Sequence, residues 1–254
     1  MNELLGLPYS PWTEKAKWAL DVRGVPYRYR IYQPLIGEPA LRMKTGRWRG
    51  TVTVPVLTDD AGRVYADSAD IARFADEHGT QDGARLFPGD ASREIAEWID
   101  RSERVLEAGR VLSLHRTLES PEALRELVPR GIRNALGGLA TVVGRTGVQR
   151  TLRKYRGSAR SLAEHERIAR DGLDALRAAI TRSESPGTPK TLLPRFSFAD
   201  IAATQMLAFV TPPRFGLKLG KASRDGFTNP KLAADFADLL AWRDAIYEAH
   251  RPEG

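Results

Sequence analysis

The sequence contains no cysteine. A chain without cysteine has no disulfides, no thiolate metal ligands and no nucleophilic thiol of its own. Any thiol chemistry would therefore depend on a small molecule that the protein binds. Histidine is scarce as well, and the four histidines show no metal-ligand spacing. We therefore expect no metal site, and we expect each histidine to lie at the surface or at a helix cap: His78, His115, His165 and His250.

Long apolar runs are also missing. No run approaches the roughly 18 residues of a membrane span, and the apolar stretch from Met1 to Leu7 is too short for a secretory signal. These features predict a cytoplasmic protein without a membrane partner. The net charge is +7 and most of the basic surplus is arginine. Basic charge is compatible with a polyanion partner, but we interpret it as general arginine richness and expect no nucleic acid.

The first third of the chain alternates strand and helix patterns. Ser10 and Pro11 are favoured at a helix start, and Gly24 is placed to end that helix. A second helix is predicted to begin at Ser68 and to end at Gly79, and residues 33–50 read as a loop with an irregular helix. Four short runs have strand composition; they cover residues 3–7, 27–32, 52–57 and 63–66.

The rest of the chain shows helix patterns and no convincing strand. Residues 81–91 are polar and turn-rich and read as a linker, with Leu86 and Phe87 as its apolar anchor. A long apolar stripe predicts a helix over 92–113. Capping boxes begin helices at Ser161 and Ser197, and Asn229 is placed to cap one final helix.

Four local motifs, in this order, resemble those of cytosolic glutathione transferases. The turn after the first strand reads Tyr-Ser-Pro-Trp over 9–12, the third strand carries Val-Pro-Val-Leu over 54–57, and Asp67-Ser68 opens a helix. The stretch 196–202 resembles the capped core helix of the family's second domain. Residues 120–160 and 211–228 depart from the family pattern.

The resemblance implies a fold of two domains. Residues 1–80 would form an α/β thioredoxin-like domain with a mixed four-stranded sheet, and residues 92–254 an all-α helical bundle. It also implies a homodimer and a detoxifying transferase that attaches glutathione, its co-substrate, to a small-molecule electrophile. The alternative is a non-catalytic relative that kept the fold as a ligand-binding or scaffold protein.

The same resemblance suggests where glutathione would bind. Free N–H groups and a hydroxyl at Asp67 and Ser68 suit the γ-glutamyl carboxylate, because helix N-termini bind anions. A cis Pro55 would turn the backbone of Val54 toward the cysteinyl residue. The glycyl carboxylate needs a cation, for which Lys44, Arg47 and Arg49 are candidates.

The central step would be ionisation of the glutathione thiol. A hydroxyl that donates to sulfur near a helix N-terminus favours the thiolate. We expect Ser10 to be that donor, because it occupies the serine position of the active-site turn, and Tyr9 is the rival. Thr13 stands where a redox relative carries its second cysteine, so disulfide exchange by the protein itself is excluded.

The second substrate is expected to be apolar and to bind between the domains. Candidates to line its pocket are Leu112, His115, Leu118 and Phe209. The arginine-rich stretch 128–160 has three readings: a lid over that pocket, a basic patch for an acidic substrate, or a solvated face, which is the reading we favour. Tyr155 is the aromatic residue among its basic side chains, which does not fit a nucleic-acid surface.

Overall fold

The computed structural model describes residues 1–34, 36–79, 85–155 and 159–252, and of Arg130 the backbone alone. Its N-terminal part has four strands and three helices in chain order: β1 Asn2–Gly6, α1 Pro11–Val22, β2 Tyr27–Ile31, α2 Glu38–Thr45, β3 Val56–Thr58, β4 Val64–Tyr65 and α3 Ser68–His78.

The four strands form one mixed sheet in the order β2-β1-β3-β4. The β1–β2 pair is parallel, whereas β3 is antiparallel to both β1 and β4. This arrangement confirms the mixed four-stranded sheet. The prediction of a strand over 52–57 is wrong in its first half, because β3 begins only at Val56. Pro55 has no N–H to donate to a ladder, and its peptide bond with Val54 is cis.

Local capping explains where the helices begin. Ser10 caps α1 and Pro11 occupies the first position inside it. Asp67, not Ser68, caps α3, and its carboxylate accepts the Ala69 N–H at 2.7 Å. Helix α2 is regular rather than irregular and ends at Gly46, whose φ of 66° is a left-handed conformation that favours glycine.

After residue 91 the described part of the chain contains no strand, and its α-helices continue the numbering: α4 Ser92–Glu119, α5 Pro121–Glu126, α6 Arg130–Leu136, α7 Ala140–Lys154, α8 Leu162–Arg182, α9 Phe198–Gln205, α10 Lys221–Phe227, α11 Pro230–Asp235 and α12 Ala237–His250. Both predicted capping boxes, at Ser161 and Ser197, are confirmed. The single helix expected after Asn229 is instead two, which meet at Phe236 with φ −123° and ψ 33°.

The two parts are joined by a short apolar anchor. The Leu86 carbonyl accepts the Phe198 N–H at 2.9 Å, and its own N–H donates to Asp76 at 2.7 Å. Phe87 stacks on Phe198 with ring centroids 5.1 Å apart. The first residues of the linker predicted over 81–91 lie outside the described residues, and 89–91 form a 3-10 turn.

One continuous core joins the sheet side to the helical side. Trp18 of α1 is fully buried beside Tyr247 of α12, with ring centroids 4.4 Å apart. His165 is only 5% exposed, so the expectation of a surface or capping histidine is wrong for it. His250 is the last residue of α12, is partly exposed and stacks on Phe196. No helix in the described ranges is long and apolar enough to span a membrane.

Candidate functional site

The turn between β1 and α1 presents the Ser10 hydroxyl at the start of a helix. The Ser10 N–H donates to the Leu7 carbonyl at 3.1 Å, which fixes the turn. The Ser10 Oγ accepts the Thr13 N–H at 3.4 Å, a long hydrogen bond for this pair of atoms. Its own O–H donates to no described residue, so the hydroxyl proton is available at a helix end that favours negative charge.

Tyr9 has a different environment from Ser10. Its ring packs against a small apolar cluster of the helical part that includes Phe209, Leu217 and Phe227. Burial raises the pKa of the Tyr9 hydroxyl to about 12. The segment before α10 covers this turn, because the Lys218 N–H donates to the Pro8 carbonyl at 2.8 Å. Tyr9 therefore contributes to packing between the two parts of the chain.

Thr13 stabilises the same turn. It is 1% exposed, and its Oγ1 accepts the Leu7 N–H at 3.1 Å. A Cβ at Gly6 would lie 2.4 Å from the Thr13 methyl group, so β1 and α1 approach each other closely here. The position that would hold the second cysteine of a redox motif is thus occupied by a buried structural hydroxyl.

The Val54–Pro55 peptide bond is cis, as the motif predicted. Val54 lies before β3 and is partly exposed. No hydrogen bond between described residues uses its N–H or its carbonyl. Backbone groups in this state can pair with an added extended strand or peptide.

The start of α3 also has unused hydrogen-bonding groups. Because Asp67 takes the capping position, Ser68 becomes the first residue of the helix. Its backbone N–H is one of the donors that a helix leaves unpaired, and its hydroxyl makes no hydrogen bond with a described residue. Ser68 is 2% exposed, whereas Asp67 is exposed. The Ser68 N–H and hydroxyl can bind the carboxylate of a ligand, and Asp67 supplies a carboxylate of the protein beside them.

The three basic candidates near α2 differ in their contacts. The Lys44 Nζ lies 2.6 Å from the Glu3 carboxylate on β1, so its charge is paired within the protein. Arg47 and Arg49 are exposed, and no ion pair between described residues involves either side chain. Arg42, which the sequence did not single out, holds this loop by donating to the carbonyls of Arg47 and Gly50.

Trp12 connects the active-site turn to the helical part. Its indole N–H donates to Glu103 of α4 at 2.6 Å, and Glu103 also pairs with the buried Lys15. The Trp12 ring lies 6.4 Å from the Phe209 ring. Of the four pocket residues expected from sequence, Phe209 is thus beside the first turn of α1. Leu112 is buried on α4, and His115 and Leu118 follow it on the same helix.

Arg110 of α4 is the charged group that the sequence did not identify. Its guanidinium carbon lies 4.8 Å from the Trp12 ring centroid and 3.7 Å from that of Tyr155, which caps the end of α7. Burial lowers the pKa of Arg110. These three residues come from positions far apart in the chain, so no local motif could have indicated their contact.

The arginine-rich stretch reaches back to the N-terminal part. Arg150 and Lys154 of α7 approach the carboxylate of Glu38 at 3.5 Å and 3.7 Å, and Arg42 pairs with the same carboxylate at 2.8 Å. Arg150 and Arg153 are nevertheless exposed, in agreement with the favoured reading of a solvated face, whereas Lys154 is half-buried. Arg156 lies outside the described residues.

The comparisons with known proteins agree with this geometry. Residues 9–78 match the model of the glutathione S-transferase N-terminal domain. No curated protein matches the sequence.

Solved structures resemble the whole chain. A glutathione S-transferase of Ceriporiopsis subvermispora in complex with glutathione is 17% identical, with 100% of this chain and 98% of that one covered and a TM-score of 0.66. A glutathione transferase family member from Pseudomonas fluorescens with bound S-(propanoic acid)-glutathione is 19% identical over the full length of both chains, with a TM-score of 0.59. Glutaredoxin 2 from Salmonella typhimurium in complex with glutathione is 19% identical, with 97% and 99% covered and a TM-score of 0.52.

At such identities the solved structures establish the fold. The residues that the family model matches include the turn before α1, the cis-proline segment before β3 and the start of α3. The chain therefore has the glutathione transferase fold, and its residues 9–78 match the model of the glutathione S-transferase N-terminal domain.

Proposed function

We propose that the protein is a glutathione transferase in which Ser10 activates the thiol of bound glutathione. The observation that carries this proposal is the Ser10 hydroxyl, whose proton is not donated to any described residue and which lies at the start of α1. The free thiol has a pKa near ~8.5, so only a few per cent is ionised at neutral pH. A hydroxyl donor and a helix N-terminus both favour the thiolate.

The unused backbone groups support a place for each part of glutathione. The Ser68 N–H and hydroxyl would bind the γ-glutamyl carboxylate, and Asp67 would face the glutamyl ammonium. The N–H and carbonyl of Val54, which no hydrogen bond between described residues uses, would pair with the cysteinyl residue. With Lys44 paired to Glu3, Arg47 is the better candidate for the glycyl carboxylate.

The reaction would be a displacement by sulfur. The thiolate attacks an electrophilic carbon, the carbon–sulfur bond forms, and the leaving group departs with the bonding electron pair. The thiol proton passes to solvent. The resemblance further supports a cytoplasmic homodimer with a role in detoxification. Sedimentation of the purified protein would test whether it is a dimer.

The test is conjugation of 1-chloro-2,4-dinitrobenzene together with retention on immobilised glutathione. We expect both in the wild type and, in Ser10→Ala, a loss of about a hundredfold in kcat/KM, as for removal of one donor to a developing anion. Tyr9→Phe is the matched control and should keep most of the activity. Activity that survives Ser10→Ala but not Tyr9→Phe would assign the donor role to Tyr9.

Loss of the helix cap is a second effect of Ser10→Ala, at about 1 kcal/mol of stability. Thermal unfolding of each variant therefore accompanies the kinetics. A wild type that binds glutathione but conjugates no electrophile would favour the non-catalytic alternative, in which the fold serves ligand binding. A wild type that does not bind glutathione at millimolar concentration would contradict both.

A further inference from the structure

Arg110 is a partly buried guanidinium that makes no hydrogen bond and no ion pair with a described residue. Its Nε is buried and has no hydrogen-bond partner among the described residues. No described carboxylate lies within salt-bridge distance; Glu103 and Glu107 on the same helix are its nearest negative charges. A desolvated cation without hydrogen bonds costs free energy, so this arrangement calls for an explanation.

Three other arginines of the helical part donate hydrogen bonds to protein acceptors. Arg116 donates to the carbonyls of Gly226 and Phe227. Arg243 donates to the carboxylate of Asp244 and to a backbone carbonyl, and Arg251 pairs with two carboxylates. Arg110 differs from them because its contacts are the faces of two aromatic rings, Trp12 and Tyr155, which leave the N–H groups free.

The position of Arg110 relates it to the proposed reaction. Trp12 is the second residue of α1, the helix that Ser10 caps, and its indole is held by Glu103. The guanidinium that lies on this indole is therefore beside the first turn of α1. It lies where α4 of the helical part meets α1 of the N-terminal part, and a second substrate of a transferase would approach the sulfur between these two parts.

The surface around this position is strongly basic. Lys154 precedes Tyr155 and borders a cavity of about 370 Å³ between α2 and α7. Its charged lining consists of four cations and one carboxylate: Arg42, Arg150, Arg153 and Lys154 with Glu38. A cleft with charge of one sign raises the local concentration of the opposite charge, so anions are attracted to this cavity.

We propose that Arg110 binds a carboxylate on the second substrate, so that the preferred electrophile of this protein is an organic acid rather than a neutral apolar compound. The proposal rests on the transferase function proposed above. A planar guanidinium binds a carboxylate through two parallel hydrogen bonds, for which the terminal nitrogens of Arg110 are free. Trp12 and Tyr155 fix its orientation in advance.

The first test measures binding without turnover. Calorimetry of the wild type with 3,5-dinitrobenzoate and with its neutral methyl ester should show clearly tighter binding of the acid. Arg110→Leu should weaken binding of the acid by about ten- to a hundredfold, the usual effect of a charge-assisted hydrogen bond, and leave the ester nearly unchanged. Arg104→Leu, an exposed change of the same charge on the same helix, is the matched control and should behave as wild type.

The second test uses the reaction. The paired electrophiles are 4-chloro-3,5-dinitrobenzoate and its methyl ester, in which glutathione sulfur replaces chloride and hydrogen chloride is released overall. After division by the uncatalysed rate constant, kcat/KM should favour the acid in the wild type and lose that preference in Arg110→Leu. Arg110→Lys keeps the charge but not the planar fork and should recover part of the preference.

Three results would overturn the proposal. The first is equal binding of the acid and the ester by the wild type. The second is an Arg110→Leu variant that binds both ligands equally more weakly and unfolds at a lower temperature, which would make Arg110 a structural link between α4 and α7. Alternatively, Arg110→Leu lowers the affinity for glutathione as much as that for the acid, which would assign the arginine to glutathione. Failure of the wild type to be retained on immobilised glutathione would instead contradict the transferase function. The calorimetric comparison of acid and ester does not depend on that retention, so the two failures can be told apart.

Discussion

Arg251 connects the end of the chain to the first helix, and its removal should be strongly destabilising. It follows α12 and donates to Glu14 at 2.7 Å and to Asp21 at 2.8 Å, both on α1. Glu14 is 1% exposed, and its second carboxylate oxygen makes no hydrogen bond. Burial opposes the charge of Arg251, yet the two carboxylates raise its pKa above the ordinary value. Arg251 therefore keeps its positive charge.

The magnitude follows from the burial of Glu14. Arg251→Met keeps much of the side-chain volume but leaves a buried carboxylate without a partner, which costs about 3–5 kcal/mol. That is a large part of the roughly 5–15 kcal/mol by which a domain is stable. Glu14→Gln removes the charge, so the double variant Arg251→Met with Glu14→Gln should lose only about 1–2 kcal/mol, since an amide still needs hydrogen bonds.

The assay is urea unfolding of the wild type, both single variants and the double variant. Tryptophan fluorescence follows the transition and includes Trp18, whose ring centroid lies 5.9 Å from the Arg251 guanidinium carbon. Far-UV circular dichroism checks that both probes give the same transition. The reasoning is refuted if Arg251→Met costs less than about 1 kcal/mol or if Glu14→Gln does not restore stability in its presence.

Two further predictions concern the helical part. A Cβ at Gly144 would lie 2.1 Å from the Leu124 carbonyl oxygen, whereas Gly147 on the same helix has nothing within 4 Å. Gly144→Ala should therefore lower stability by about 1–3 kcal/mol, and Gly147→Ala should raise it by up to about 1 kcal/mol. Equal melting temperatures of the two variants would contradict the close packing of α7 on α5. Burial raises the pKa of Asp200 to about 6, so between its ordinary value of ~4 and pH 6 the folded protein holds more protons than the unfolded chain and its stability falls as pH rises. In urea unfolding between pH 4 and 7, Asp200→Asn should remove this dependence of stability on pH. An unchanged dependence would assign it to another group.

The predictions that held are those that depend on local chemistry. Ser10 and Pro11 at a helix start, the cis Pro55 and the capping box at Ser197 each follow from a few adjacent residues and the backbone geometry those residues favour. The order of such local motifs then indicated the family, and with it the mixed sheet and the helical second part.

What could not be predicted depends on packing between distant segments. Asp67 rather than Ser68 caps α3. Either side chain can serve as a cap, so the local sequence does not decide at which of the two residues the helix begins. The contact of Arg110 with Trp12 and Tyr155 joins α1, α4 and α7, which lie about one hundred and about forty-five residues apart along the chain. The apolar periodicity of one helix does not indicate which other helix its buried face contacts.

The most direct measurement is a crystal structure of the protein with glutathione bound. The account predicts the sulfur within hydrogen-bond distance of the Ser10 Oγ, the cysteinyl backbone paired with Val54 and the γ-glutamyl carboxylate at the Ser68 N–H. A sulfur that contacts the Tyr9 hydroxyl, or a tripeptide bound away from the start of α1, would contradict it.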